Sequence, residues 1–338
     1  MRILITGGSG FIGTNLVEWF SAKGVELINL DWNPPLDPGQ QRFWKECDIM
    51  DQTGVRALFK AFDPTHVVHL AARADTDEKT DIAAYQQNHQ GTRLLLEVVK
   101  EHPGIEHIIV TSTQFVCEAG YQPAHDLDFK PFTLYGESKR LTELATREVG
   151  LACRWTIIRP TTVWGPWSLR YRDVMFKVMS KGLYFHPSRA RVIRSYGYVG
   201  NVVWQIERIM ELGAATNGKV YYVGDQPFDL KVWVDAVSRE LIGKPVRFIP
   251  TWMIKGVALI GDALALVRIP FPITSGRFSS MTSDYVTPMD RTIEDLGQAP
   301  FTIQAGVKQF VKWYREVSKA IVPHTLKDVR EKQKQPEA

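Results

Sequence analysis

The chain is 338 residues long, 44% hydrophobic and 23% charged, enough for a full core in one large or two smaller domains and unlike a disordered or fibrous protein. Its 41 basic and 37 acidic residues are mixed along the sequence, so the formal charge of +4 builds no basic face for nucleic acid. Three cysteines, Cys47, Cys117 and Cys153, lack CxxC or Cys/His spacing, which argues against a disulfide framework or structural zinc and fits a reducing cytoplasm.

The opening MRILITGG reads as a strand rather than a signal peptide, so secretion is not expected. β-branched runs predict strands over 2–7, 25–31, 66–72, 107–113 and 154–160, each apolar enough to be buried on both faces. Between them, apolar residues at helical spacing predict helices over 11–23, 51–62, 81–101 and 134–149, with Asp51 and Asp81 as N-caps. Strict alternation of this kind gives an α/β fold, a doubly wound parallel sheet with right-handed crossovers.

We expect residues 1–160 to form this first domain and 161–323 a smaller C-terminal region for substrate, with segments near 190–225 returning to the first. Past residue 160 the pattern loosens, leaving a helix near 199–212, a strand over 219–225 and a helix near 229–241. The apolar stretch from Trp252 to Phe271 is interrupted by Lys255, Asp262, Arg268 and Pro270, too often to span a bilayer. It predicts an amphipathic helix of the substrate region, with shallow membrane contact as the other reading. Residues 324–338 read as a solvated tail.

The first strand runs directly into TGGSGFIGTNL, residues 6–16. Gly7, Gly10 and Gly13 recur at three-residue spacing, and Gly8, Gly10 and Gly13 also satisfy the dinucleotide fingerprint. Early glycines make a tight turn, Gly10 lets backbone amides approach a pyrophosphate, and Gly13 lets the helix pack close to the strand. Asp31 ends the second strand, where a carboxylate accepts both adenosine ribose hydroxyls and repels a 2′-phosphate, favouring NAD over NADP. Asp48 follows the third strand, either reaching the adenine amino group or capping a helix. HLAA, residues 69–72, supplies small residues where the backbone must pass close to the cofactor.

TLYGESKR, residues 133–140, sets Tyr135 and Lys139 four apart, on one face of the predicted helix. A free phenol titrates near pH ~10, and a nearby ammonium favours its anion, so the pair suits proton transfer; a surface Tyr–Lys pair is the alternative.

Together these segments resemble the extended short-chain dehydrogenase/reductase family, and most closely its nucleotide-sugar epimerase and dehydratase branch. Also matching are CDI at 47–49, NHQGT at 88–92, VTSTQFV at 110–116, IIRPTTVWGP at 157–166, RSYGYVGNVV at 194–203 and, near the end, residues 294–314. The resemblance implies Tyr135 as acid/base, Lys139 as the residue that lowers its pKa and holds the nicotinamide ribose, and Thr113 as hydrogen-bond partner of the reacting oxygen. It implies NAD contacts from Gly7, Gly10, Phe11, Ile12, Gly13, Asp31, Asp48, Ile49, Leu70, Ala71, Ala72, Asn88, Tyr135, Lys139 and Pro160. Substrate contacts would come from Thr113, Thr162, Arg194 and Arg277, the arginines on the diphosphate of a nucleotide sugar, with Arg189 and Arg191 able to do similar work. Trp164 and Trp167 would either wall the sugar or pack in the core. No metal is expected, and a homodimer formed through the helix bearing YGESK and the long helix before Thr113 is.

Departures from the family pattern narrow the chemistry. Related 4,6-dehydratases follow the catalytic Thr with Asp and Glu, whereas Gln114 and Phe115 stand here. Phe115 also replaces the Cys of fucose-synthase-type epimerase-reductases and the Glu of UDP-glucuronate decarboxylases; Cys117, two positions on, reads as a small buried residue. What the resemblance leaves is oxidation and reduction at one carbon. An NAD-dependent nucleotide-sugar 4-epimerase is the leading expectation. A nucleotide-linked ketosugar reductase, a hydroxysteroid or sterol-type dehydrogenase and a non-catalytic dinucleotide sensor are the alternatives.

Overall fold

Seven parallel strands, β1 (Arg2–Thr6), β2 (Glu26–Asp31), β3 (Trp44–Glu46), β4 (His66–His69), β5 (His107–Thr111), β6 (Arg154–Pro160) and β7 (Val220–Val223), form the central sheet in the order β7-β6-β5-β4-β1-β2-β3. This computed structural model describes residues 1–187, 191–266, 269, 271 and 273–318; the expected tail and Arg189 lie outside the described residues. The strand order reverses between β1 and β4, which opens a crevice at the carboxyl edge of the sheet.

The two-residue period of the strands sets the core. Ile3 and Ile5 of β1 point to one face, where they join Leu16, Phe20, Val202 and Ile206, while Leu4 points to the other and joins Val55, Phe59, Leu95 and Leu96. The first face is covered by α1 (Phe11–Ala22) and the helix Val199–Leu212, the second by α2 (Gln52–Phe62), α3 (Gln86–Glu101) and α4 (Leu134–Glu148). Asp51 caps α2 by accepting from the Gly54 amide at 3.0 Å. Thr133 does the same for α4 from the Gly136 amide at 3.0 Å.

Several expected boundaries shift, and three of them bear on the site. The predicted helix over 81–101 is a 3-10 turn at Ile82–Tyr85, capped by Asp81, followed by α3. The strands expected to reach residues 72 and 113 stop at His69 and Thr111. In the second case Thr113 turns out of the sheet to cap the short 3-10 segment Gln114–Val116, its hydroxyl accepting from the Phe115 amide.

Beyond β6 the chain builds two-stranded ribbons, pairing Thr162–Trp164 with Tyr196–Tyr198 and Ile193–Arg194 with Phe228–Asp229. Around them lie the helices Leu230–Ile242, Thr251–Leu266, Ser275–Thr282, Asp290–Leu296 and Ile303–Glu316. Trp164 is fully buried among Tyr198, Trp233 and Phe310, and Trp167 is buried against Trp313; both belong to this aromatic core rather than to a sugar wall. The helix Thr251–Leu266 departs from the expected amphipathic pattern, because it buries Ile254, Ala258 and Gly261 and leaves its large apolar residues outside.

Candidate active site

The turn after β1 is shaped by what a side chain would displace. Gly7 has φ +72°, and a Cβ there would lie 2.5 Å from the Ala71 amide nitrogen, so the turn and the HLAA segment can meet only through glycine. A Cβ on Gly13 would strike the Gly7 carbonyl, so α1 starts directly against the turn. No side chain caps α1 at Gly10, which leaves its positive end, with Phe11 and Ile12 in its first turn, to a phosphate.

Asp31 follows at the end of β2. Its carboxylate accepts from the Ser9 and Asn33 amides at 3.1 and 2.9 Å, and burial pushes its pKa up to about 6 against those hydrogen bonds. Asp48 accepts from the Met50 amide at 2.9 Å in a local turn, while the helix that follows is capped by Asp51 and not by Asp48. Ile49 packs against Gly91 of α3, and Pro160, buried, ends β6 beside Val223. Asn88 is buried, and its amide accepts from Arg73 N at 2.7 Å while donating to Arg73 O and Ser138 Oγ at 2.9 Å. It thereby ties the segment carrying Leu70, Ala71 and Ala72 to α3 and α4.

Tyr135 and Lys139 sit on the face of α4 directed at the end of β5. Lys139 is buried and donates from Nζ to the Thr111 carbonyl at 2.8 Å; burial lowers its pKa to about 7, with the Glu143 carboxylate opposing the shift. Burial pushes the Tyr135 phenol up to about 12, and the Thr113 hydroxyl works against that rise. Burial is the largest cause of that shift, and the neighbouring Tyr85 adds to it. Sequence reasoning missed what stands behind the pair. Glu143, one turn after Lys139, is buried and accepts from Ser112 Oγ at 2.6 Å and Arg159 Nε at 2.8 Å. Its helical spacing from Lys139 was the available signal. His69, from HLAA, is held between the Thr6 and Thr92 hydroxyls at 2.7 and 2.8 Å, and burial beside the Lys139 cation lowers its pKa to about 3.

Phe115 is the residue at which the sequence departs from the family pattern it resembles. Its ring meets Tyr135 edge-on at 6.2 Å and stacks on Tyr285 at 6.2 Å, and Tyr285 carries the Arg194 guanidinium on its ring at 5.4 Å. Arg194 is buried, donates to the Ser283 carbonyl at 3.0 Å and keeps Nε without a partner among the described residues. It is thus fixed, not a solvated basic turn. Gln114 donates to Thr162 Oγ1 at 2.9 Å, which joins the segment after β5 to the predicted substrate threonine. Arg277 lies exposed on Ser275–Thr282, and burial of its surroundings with the nearby Arg170 cation lowers its pKa; Arg191 is exposed. Cys117 is buried and its thiol pKa is raised by burial, as for an inert core residue. Tyr285 lies far along the chain and nothing in its local sequence distinguishes it.

The crevice can thus receive a dinucleotide: a glycine cradle closed to any side chain, an uncapped helix start, and a carboxylate at the end of β2. Comparisons with known proteins agree. The chain is 31% identical over 235 residues, 67% of its length and 68% of the relative's, to N-acetyl-alpha-D-glucosaminyl-diphospho-ditrans,octacis-undecaprenol 4-epimerase of Escherichia coli O157:H7. It is 27% identical to the human sterol-4-alpha-carboxylate 3-dehydrogenase (decarboxylating), over 75% of this chain and 70% of that one. The crystal structure of UDP-glucose 4-epimerase with UDP-glucose from Thermotoga maritima shares the fold with a TM-score of 0.70 at 22% identity, covering 94% of this chain and 99% of that one. Residues 3–224 match the model of the NAD dependent epimerase/dehydratase family, and the chain belongs to that family of NAD-dependent enzymes.

Proposed function

We propose that the protein is a nucleotide-diphosphate-sugar 4-epimerase using Tyr135 as its acid/base. The observation that carries this reading is Phe115, whose ring meets Tyr135 edge-on and supplies neither carboxyl nor thiol there; the other phenol beside Tyr135, Tyr85, donates to the Asp75 carbonyl at 3.0 Å. Elimination needs a further acid/base pair to remove a second proton and release the leaving group; withdrawal and return of hydrogen at one carbon do not.

In this reading Thr113 and Tyr135 grip the hydroxyl of the reacting carbon, and Tyr135 takes its proton and later gives it back. Bound NAD supplies a hydride acceptor that becomes a donor on the return step, and its positive ring favours the phenolate. Lys139 would hold the nicotinamide ribose, and its buried charge favours the phenolate over the phenol. Gly7, Gly10, Gly13 and Asp31 would hold the rest of the dinucleotide. Arg194, with an unpartnered Nε and two aromatic neighbours, suits a diphosphate oxygen, with Thr162 and Arg277 as further substrate contacts. Residues 1–160 with the strand Val220–Val223 then serve the dinucleotide and 161–323 mainly the sugar, in a cytoplasmic homodimer formed through α3 and α4.

Mass spectrometry of gently denatured protein tests the reading. Retained NAD, together with inversion at C4 of a UDP-sugar without added cofactor, is expected. Empty protein that consumes NADPH stoichiometrically would instead assign a ketosugar reductase.

A further inference from the structure

The helix Thr251–Leu266 is built inside out. Its buried line, Ile254, Ala258 and Gly261, is narrow and mostly small. The opposite face presents Trp252, Gly256, Leu259, Ile260, Ala263 and Leu266, spaced so that they form one continuous stripe. Trp252 is 74% exposed, Leu259 59%, Ile260 57% and Leu266 87%. The charges on this helix are Lys255, exposed beside the stripe, and Asp262, whose carboxylate is engaged by the Ser275 amide at 3.0 Å and by its hydroxyl. A water-facing helix of a soluble enzyme would carry its polar residues where this stripe lies.

The charge of the chain that carries the stripe favours one occupant. Between residues 244 and 280 the sequence places Lys244, Arg247, Lys255, Arg268 and Arg277 against Asp262 alone, an excess as large as the +4 of the whole chain. An apolar stripe with an exposed lysine beside it, on a stretch of chain with a net positive charge, matches the interface of an anionic bilayer, where the acyl boundary takes the side chains and the headgroups take the cations. No helix among the described residues is long and apolar enough to cross a membrane, so this one would lie on the surface.

We infer that the helix Thr251–Leu266 docks the enzyme on an anionic phospholipid surface, with Trp252, Leu259, Ile260 and Leu266 inserted among the lipids and Lys255 at the headgroups. The inference is independent of which sugar the crevice accepts.

Vesicle flotation of the full chain tests it, using phosphatidylglycerol-containing and pure phosphatidylcholine vesicles at low and high salt. The protein should float with the anionic vesicles, at least tenfold less with the neutral ones, and less at high salt. The Leu259→Ser/Ile260→Ser variant should lose at least tenfold in vesicle binding while keeping its circular dichroism and its bound NAD. Wild-type protein remaining with the aqueous phase, equal binding to both vesicle types, or undiminished binding by the variant would overturn the inference. So would a wild-type dimer that the variant breaks without any lipid binding, since a second copy would then be the occupant.

Discussion

Two helices of nearly equal length, α4 with 15 residues and Thr251–Leu266 with 16, treat burial in opposite ways. Helix α4 buries Ser138, Lys139, Thr142, Glu143 and Thr146, and each has a partner: Asn88 takes Ser138 and Thr142, Thr111 takes Lys139, Ser112 and Arg159 take Glu143, and the Thr142 carbonyl takes Thr146. Thr251–Leu266 sets Trp252, Leu259, Ile260 and Leu266 in water. Both invert the usual amphipathic rule. A buried polar face is tolerable only when every group is satisfied, which fixes α4 in one position over β5 and β6. An exposed apolar face constrains nothing inside the fold among the described residues, and it is the surface on which the inferred lipid docking rests.

The contrast can be broken at several points. Replacing Tyr135 with Phe removes one oxygen from the α4 face, and turnover should fall about 10³-fold with NAD retention unchanged. Undiminished turnover would show that the phenol is not the acid/base. Glu143→Gln leaves Arg159 buried beside a neutral group, and denaturant titration should register a loss of about 3 kcal/mol.

A pH series sharpens the α4 side. Lys139 titrates near 7 in the folded protein and near its ordinary 10.5 when unfolded, so the unfolded chain binds the extra proton between those values. The cost of burying the ammonium is therefore complete below about pH 7 and is relieved as pH rises toward 10.5. Cofactor-free wild type should gain stability over that window relative to Lys139→Met; parallel curves would mean that the ammonium is not desolvated. The smallest effect is expected on the other helix. Leu259→Ser should change stability by no more than about 0.5 kcal/mol, since the side chain is exposed already, and a larger loss would mean that it packs inside the molecule.

Much of the first half was legible because its signals are local. Buried strands alternate with amphipathic helices there, and the strand–glycine–helix order around Gly7 to Gly13 carries its own geometry. The spacing of Tyr135 and Lys139 placed both on one helical face. Strand ends were less legible: that β5 stops at Thr111 and Thr113 becomes a cap depends on the Phe115 amide turning back, which apolar run length does not encode. Arg194 was recognised by its motif, but its fixation rests on Ser283 and Tyr285, far along the chain, and Phe115 was read only as a missing acid when it is the ring between Tyr135 and Tyr285.

The sequence by itself determined the fold class, the dinucleotide cradle and the Tyr–Lys pair, because short-range periodicity and backbone freedom decide those features. Only the tertiary structure decided how Glu143 and Arg159 lock α4, how the aromatic line from Tyr135 reaches Arg194, and which face of Thr251–Leu266 is left uncovered. Those features are set by contacts between distant parts of the chain and by which residues burial selects, and neither is contained in any local stretch.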